Sequence, residues 1–326
     1  MQGMQYYPVK FKPIPTPRMW GGHTMKSWFG VDDITVPVGE YWLVSAHPTA
    51  TSVVENGIFA GMTLTELTRR HPEAYLGSSS QPRFPLLIKL IEAGADLSVQ
   101  VHPDDDYARE HEGDFGKTEA WYVLDAPPGG QVVYGHQFKS RDDYFTAVQQ
   151  GRVKEALAYR QIKKGDLVYV PAKTLHAILA HTTVIEVQQT SDVTYRVYDW
   201  DRVDKDGHSR QLHVDKAADV LDYKASGTQL SSPSTLLSNE AGVVCEQLLK
   251  CPYFTMDRVQ MAPGHSYCVA PVAGPSIVIG VSGTGSLAWE RDRFETVRTG
   301  DAWLLPSSSS PGVQSEDDFT FLRITY

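Results

Sequence analysis

The sequence predicts a mainly β protein built as two barrels, with a few short helices inserted in its N-terminal part. Three observations lead to this reading. Short runs rich in β-branched and aromatic residues, bounded by turn residues, recur along the chain. One seven-residue pattern occurs twice. A polar, Ser-rich stretch lies between the two copies.

The strand-like runs are YWLVSA (41–46), LSVQVH (97–102), AWYVL (120–124), QVVYG (131–135), DLVYVP (166–171), TVIEVQQ (183–189) and VTYRVYD (193–199). Many short strands with Gly and Pro between them suggest a barrel or sandwich. Two segments read as helical. Thr63 to Ala74 opens with the capping-box pattern Thr63-Leu-Thr-Glu66, and Pro72 should end it early. Arg141 to Tyr159 carries Phe145, Val148, Val153 and Leu157, and Gly151 splits it into two helices. Ser78 to Pro82 reads as a loop. The stretch 225–240, ASGTQLSSPSTLLSNE, is the best linker candidate. Residues 1–230 are therefore expected to form one domain and 231–326 the other.

The repeated pattern is Gly165-Asp-Leu-Val-Tyr-Val-Pro171 and Gly300-Asp-Ala-Trp-Leu-Leu-Pro306. A Gly-Asp turn feeding a strand that ends at Pro is similar to the punctuation of cupin-type jelly-roll barrels. His176 lies five residues beyond the first Pro, and Pro311 stands at that offset in the second copy. The first barrel is thus expected to carry the chemistry and the second to lack metal ligands.

Composition excludes several classes. Of 326 residues, 41% are apolar and 21% charged, the balance of an ordinary soluble protein. A net charge of −9 argues against nucleic acid or an anionic membrane as partner through the overall field. A phosphorylated metabolite remains possible if Lys and Arg gather in one pocket. No stretch approaches the roughly 18 apolar residues of a membrane span. The N-terminal residues contain no apolar run of the kind a secretory leader needs. Cys245, Cys251 and Cys268 are odd in number and include no CxxC pair, so they read as core fillers in a reduced, cytoplasmic protein.

Ligand-type side chains concentrate in the first barrel. Gln100 and His102 stand two apart on one strand and face the same side. Glu119 opens the next strand, and His176 ends one strand or begins the next. A histidine near a strand end is, taken singly, more often packed or solvated than metal-bound. Together, two imidazoles, a carboxylate and an amide oxygen make an N/O site that suits zinc and several other divalent metals. His111, His136 and His181 read as surface residues, and His208 and His213 as solvated ones.

Around these residues the sequence closely resembles type I mannose-6-phosphate isomerases of the short bacterial form. The resemblance is carried by Trp20-Gly-Gly22, Phe84-Pro-Leu-Leu-Ile-Lys89, Leu97-Ser-Val-Gln-Val-His-Pro-Asp104, Gly116-Lys-Thr-Glu-Ala-Trp-Tyr122, Pro171-Ala-Lys-Thr-Leu-His-Ala-Ile178 and Glu186 to Arg196. It implies a zinc site formed by Gln100, His102, Glu119 and His176, with Gln100 the weaker ligand. It also implies an essential Arg196, a pocket-lining Lys117, and Lys89 and Ser98 contacting the substrate phosphate or shaping its pocket. Trp20 joins the substrate-binding set. Lys173 departs from the pattern, which has Gly there. If that position needs φ > 0, Lys costs about 1 kcal/mol; alternatively Lys173 adds positive charge at the pocket rim.

The implied reaction interconverts mannose 6-phosphate and fructose 6-phosphate through an enediol. It needs a base and acid near C1 and C2, stabilisation of the oxyanion, and a grip on the phosphate. Arg196 suits the oxyanion, Lys117 the pocket, and Glu186 the base. Glu186 could instead orient Arg196, or form a plain cross-strand ion pair with it, and Lys89 could snorkel to solvent. Two other functions use the same ligands: an iron-dependent cupin oxygenase and a non-catalytic sugar-phosphate sensor. The expected molecule is a monomer or weak homo-oligomer.

Overall fold

The computed structural model describes residues 5–79, 81–204, 206–224, 230–290 and 293–326. Most of these lie in strands or the turns between them. The chain divides into two compact units, and neither is one stretch of sequence. One comprises Pro15–Tyr41 and Ile88–Ser231; the other takes the segment ending at Ile14, Trp42–Leu87 and Ser232–Tyr326. This partition differs from 1–230 and 231–326. The N-terminal strand Val9–Lys10 pairs antiparallel with Ala302–Leu305, a long-range ladder that local composition does not announce. Of the expected linker, residues 225–229 lie outside the described residues. Residues 235–240 form an exposed strand paired with Val243–Lys250, so polarity there marks a solvated strand rather than a tether. Ser80, in the expected loop 78–82, also lies outside the described residues.

The first unit holds two sheets. One orders its strands Leu167–Val170, Glu119–Asp125, Thr182–Gln189, Leu86–Ala93, Ile14–Gly22 and Val38–Val44; the other orders Leu157–Gln161, Gln131–His136, His176–Ile178, Val99–Val101 and Tyr195–Tyr198. Trp20, Ile91, Trp121 and Val168 of the first sheet pack with Val132, Tyr134 and Ile178 of the second, and with Leu97 just before the strand Val99–Val101. The sheets are open, not closed barrels. An alternating pattern demands only that one face be buried, and two facing sheets meet that demand as well as closure does.

The second unit repeats part of this order. Ala302–Leu305, Ser276–Ser282, Phe319–Thr325 and Thr255–Met261 follow one another as do the first four strands of the six-stranded sheet. The two Gly-Asp turns agree in detail. Gly165 and Gly300 have φ of 87° and 86°, a region glycine enters without a Cβ penalty. Asp166 Oδ2 accepts from Lys163 N at 2.9 Å, and Asp301 Oδ2 accepts from Arg298 N at 2.9 Å.

The helices are short. Leu64–Arg70 carries the full capping box: Thr63 Oγ1 accepts from Glu66 N, and the Glu66 carboxylate accepts from Thr63 N. A separate turn, Pro72–Tyr75, begins at the proline. The segment from Arg141 yields one helix, Arg141–Gln149, ending before Gly151 at φ 63°. The expected second helix is instead a single 3₁₀ turn, Val153–Ala156, because Leu157–Gln161 is claimed by pairing with Gln131–His136.

Candidate metal centre and its cavity

Sheet register assembles the centre. His176 sits opposite Gln100, and Gln100 sits opposite Arg196, so three adjacent strands present the three side chains in one row. His102 follows two residues after Gln100. From the other sheet, Glu119 and Trp121 project from one strand, and Glu186 stands opposite Trp121. Glu186 and Arg196 therefore belong to different sheets, which removes the cross-strand ion pair between them.

His102, Glu119 and His176 are buried, with their ligand atoms all within 4.8 Å of one another. Glu119 Oε2 lies 3.4 Å from His102 Nε2, and Glu119 Oε1 lies 3.4 Å from His176 Nε2. Each imidazole is oriented by its far nitrogen: His102 Nδ1 donates to Val193 O and His176 Nδ1 to Thr174 O, both at 2.9 Å. A carbonyl can only accept, so the proton resides on Nδ1 and the Nε2 lone pair faces the cluster. Burial, with Lys117 adding to it, pushes His102 down to about 3, and burial lowers His176. Both rings are neutral at pH 7, the ligand form. The Gln100 amide is 3.5 Å from His176 Nε2. Two neutral nitrogens and a carboxylate, with an amide beside them, fit a divalent ion by the chemistry of the donor set.

Lys117 Nζ donates to Glu119 Oε2 at 2.7 Å and to His102 Nε2 at 3.0 Å. Burial works against its charge, but Glu119 and Glu186 more than offset this and raise its pKa. Burial would raise Glu119, yet Lys117 holds it well below the usual carboxylate range. Burial, then the Glu119 charge, pushes Glu186 up to about 7. The Trp121 indole N–H bridges the two carboxylates, donating to Glu119 Oε1 at 2.9 Å and Glu186 Oε2 at 3.1 Å.

A cavity of about 300 Å³ opens beside the cluster. Trp20, Lys89, Ser98, Gln100, Lys117, His176, Glu186 and Arg196 all line it. With His102 and Glu119 behind them, every catalytic, binding or ligand residue singled out from the sequence is brought to one place. Lys89 does not snorkel: it is 3% exposed, with Glu40, Glu186 and Asp192 within 3.9 Å of its ammonium. Lys173 does adopt φ 73°, but its ammonium pairs with Asp104 instead of facing the cavity. His213 is not merely solvated, because its Nδ1 accepts from Arg196 N at 3.0 Å. His136 is half-buried in place of lying at the surface. Only Cys245 is a core filler; Cys251 is half-buried and Cys268 exposed.

Sequence reasoning missed Arg18, Glu40, Trp121, Asp192 and Arg210, which also line the cavity. Two were within reach. Arg18 precedes Trp20 by two residues and Trp121 follows Glu119 by two, so strand alternation puts each on its partner's face.

The fold and the cluster define a mainly β protein of open sheets with a candidate mononuclear metal site. The family model for the phosphomannose isomerase type I catalytic domain matches residues 10–124. A mannose-6-phosphate isomerase of Streptococcus mutans is 39% identical over 291 residues, 89% of this chain and 90% of that protein. One of Bacillus subtilis is 38% identical over 260 residues, 79% of this chain and 81% of that protein. A crystal structure of mannose 6-phosphate isomerase from Bacillus subtilis aligns with a TM-score of 0.89 at 33% identity, covering 98% of this chain and 100% of that one. The chain belongs to the mannose-6-phosphate isomerase family.

Proposed function

We propose that this protein is a zinc-dependent aldose–ketose isomerase that interconverts mannose 6-phosphate and fructose 6-phosphate. One observation carries the reading: a buried His102–Glu119–His176 cluster shares a cavity with Lys89, Lys117, Arg196 and Arg210, in a protein of net charge −9. Gln100, His102, Glu119 and His176 would hold the ion, which when bound supplies Lewis-acid polarisation of a sugar oxygen. Glu186, poised near neutrality, can take and return the proton that moves between C1 and C2. Arg196 faces the developing oxyanion with a planar, permanently charged group. Lys117 keeps Glu119 ionised and presents its ammonium to the same cavity. Trp20, Lys89 and Ser98 contact the substrate.

An iron oxygenase would share the two-His, one-carboxylate set, but it leaves the basic lining without a purpose. The facing sheets of the first unit read as a jelly roll of the cupin type, and the matching strand order and Gly-Asp turns extend that reading to the second unit. The second unit carries no metal in this reading. Its register puts Ser276, paired with Leu305, where Glu119 pairs with Val170. A cytoplasmic monomer or weak homo-oligomer acting on free sugar phosphate fits the three free cysteines and the absence, among the described residues, of a helix long and apolar enough to cross a membrane.

The test is metal analysis beside a coupled assay for fructose 6-phosphate. The purified protein should hold about one divalent ion per chain and lose activity on chelation. His176→Ala should lose both metal and turnover. Full turnover by demonstrably metal-free protein would sink the reading, as would metal-loaded protein inert toward mannose 6-phosphate.

A further inference from the structure

The cavity has two chemically different ends, and the assignment of one of them to phosphate rests on the cavity being a sugar-phosphate site. Near the imidazole–carboxylate cluster each cation already faces carboxylates. Lys89 Nζ lies 3.8 Å from Glu40, 3.7 Å from Glu186 and 3.9 Å from Asp192. Arg18 is clasped by both oxygens of Glu40, at 3.1 and 3.0 Å. Lys117 is engaged by Glu119. A phosphate brought to Lys89 would meet Glu40, Glu186 and Asp192 nearly as closely as the ammonium. Like charges a few ångströms apart in a poorly solvated cavity repel strongly.

The balance reverses beyond the strand Tyr195–Tyr198. There Asp199, 6% exposed, shares one carboxylate between two guanidiniums. Arg210 donates to it from Nε at 2.8 Å and Nη2 at 2.5 Å, and Arg202 from Nη2 at 2.6 Å. Arg196 stands close by: its Nη1 donates to Gln211 O at 2.8 Å, and its buried Nε has no hydrogen-bond partner among the described residues. Burial, then the charge of Arg210, lowers the Arg196 pKa, as neighbouring like charges should. Three guanidiniums thus gather around one shared carboxylate, and two of them, Arg196 and Arg210, line the cavity.

We propose that the substrate phosphate is bound at this end by Arg210, and that Asp199 is the positioning residue that aims the Arg210 guanidinium into the cavity. Asp199 occupies Nε and one terminal nitrogen of Arg210, leaving the other terminal nitrogen for a phosphate oxygen. The arrangement has the span the substrate needs. His176, Gln100 and Arg196 occupy successive strands about 4.8 Å apart, so Arg196 begins roughly 10 Å from His176 across the sheet. The reacting carbons can lie at the cluster while the terminal phosphate reaches past the sheet edge. Lys89 is then a partner of the sugar hydroxyls and of Glu186, and not the phosphate grip.

The experiment compares steady-state kinetics and inorganic phosphate binding in the metal-loaded enzyme. Inorganic phosphate should inhibit the wild type competitively and raise its melting temperature. Arg210→Gln should raise KM for mannose 6-phosphate and the inhibition constant for phosphate together, by about 10- to 100-fold for a lost charged hydrogen bond, with a much smaller change in kcat. Arg210→Lys keeps the charge without the fork, and serves if Arg210→Gln does not fold. It should also weaken phosphate inhibition. Asp199→Asn should move both constants in the same direction by less, whereas a merely structural Asp199 would lower the melting temperature and leave the phosphate constant where it was. The proposal is overturned if Arg210→Gln and Arg210→Lys keep the wild-type phosphate constant, or if Lys89→Met abolishes phosphate binding while they do not. Should the wild type fail to turn over mannose 6-phosphate, the functional reading falls. The phosphate-induced rise in melting temperature, and its loss in Arg210→Gln, would still decide the site.

Discussion

Trp121→Phe isolates the contribution of one buried proton. Trp121 is 1% exposed and its indole N–H is shared between Glu119 and Glu186. Phenylalanine keeps most of the ring and removes that donor. Because one N–H serves both acceptors, the loss counts once, at about 1.5–3 kcal/mol for a hydrogen bond to a charged group. Ring shrinkage adds a cavity cost, which the protein allows to be measured separately. Trp303 is also fully buried, and its Nε1 has no hydrogen-bond partner among the described residues. Trp303→Phe therefore carries the volume loss without the bond, and relieves an unpaired donor. Trp121→Phe should cost at least about 2 kcal/mol more than Trp303→Phe, or roughly 4–8 °C in melting temperature for a unit of this size. Metal affinity, read by competition with a chelator, should fall in Trp121→Phe by about 10- to 100-fold, as when a group orienting a ligand is lost, and stay unchanged in Trp303→Phe. Equal destabilisation by the two variants, within about 0.5 kcal/mol, with equal metal affinity, would refute the bridging role.

Lys173 offers a second matched pair. At φ 73° a glycine relieves about 1 kcal/mol that alanine cannot, while both variants lose the partly exposed ion pair with Asp104. Lys173→Gly should melt above Lys173→Ala, and identical melting temperatures would remove the strain argument. The Asp199 cluster predicts a pH signature. Burial opposes ionisation of Asp199, but Arg210 and Arg202 outweigh it and hold the carboxyl below its ordinary 3.8. Its contribution is therefore complete above that value and lost as pH falls through the lower, folded-state value. The melting-temperature gap between wild type and Asp199→Asn should be wide at neutral pH and close in acid; a gap that is constant from pH 3 to 7 would count against the cluster.

Much of this site is legible in the sequence because its grammar is local. Gln100 and His102 two apart, Glu119 opening a strand, and His176 after the Gly-Asp-to-Pro run need only strand alternation and punctuation. The same rule reaches Arg18 and Trp121. Glu40, Asp192 and Arg210 are beyond it, since each approaches the cavity through pairings or loops with no period to read. The fold shows the same division. The capping box at Thr63 is visible in four residues. The strand Leu157–Gln161 reads locally as helix because its fate depends on Gln131–His136, some 25 residues earlier. The union of Val9–Lys10 with Ala302–Leu305 spans nearly the whole chain.

With the roles proposed for them, the row formed by His176, Gln100 and Arg196 would tie the fidelity of folding to the chemistry. These residues come from three strands, each locked to the next by its backbone ladder. A strand that paired one residue out of step would turn its side chain to the opposite face. An error at Val99–Val101 would evict Gln100 and His102 together. Misfolded chains should therefore be inert instead of partly active, with no graded population of enzymes whose centres are slightly misbuilt. In a preparation of mixed quality, the specific activity then counts correctly registered molecules, and heating or ageing should lower kcat per total protein without shifting KM.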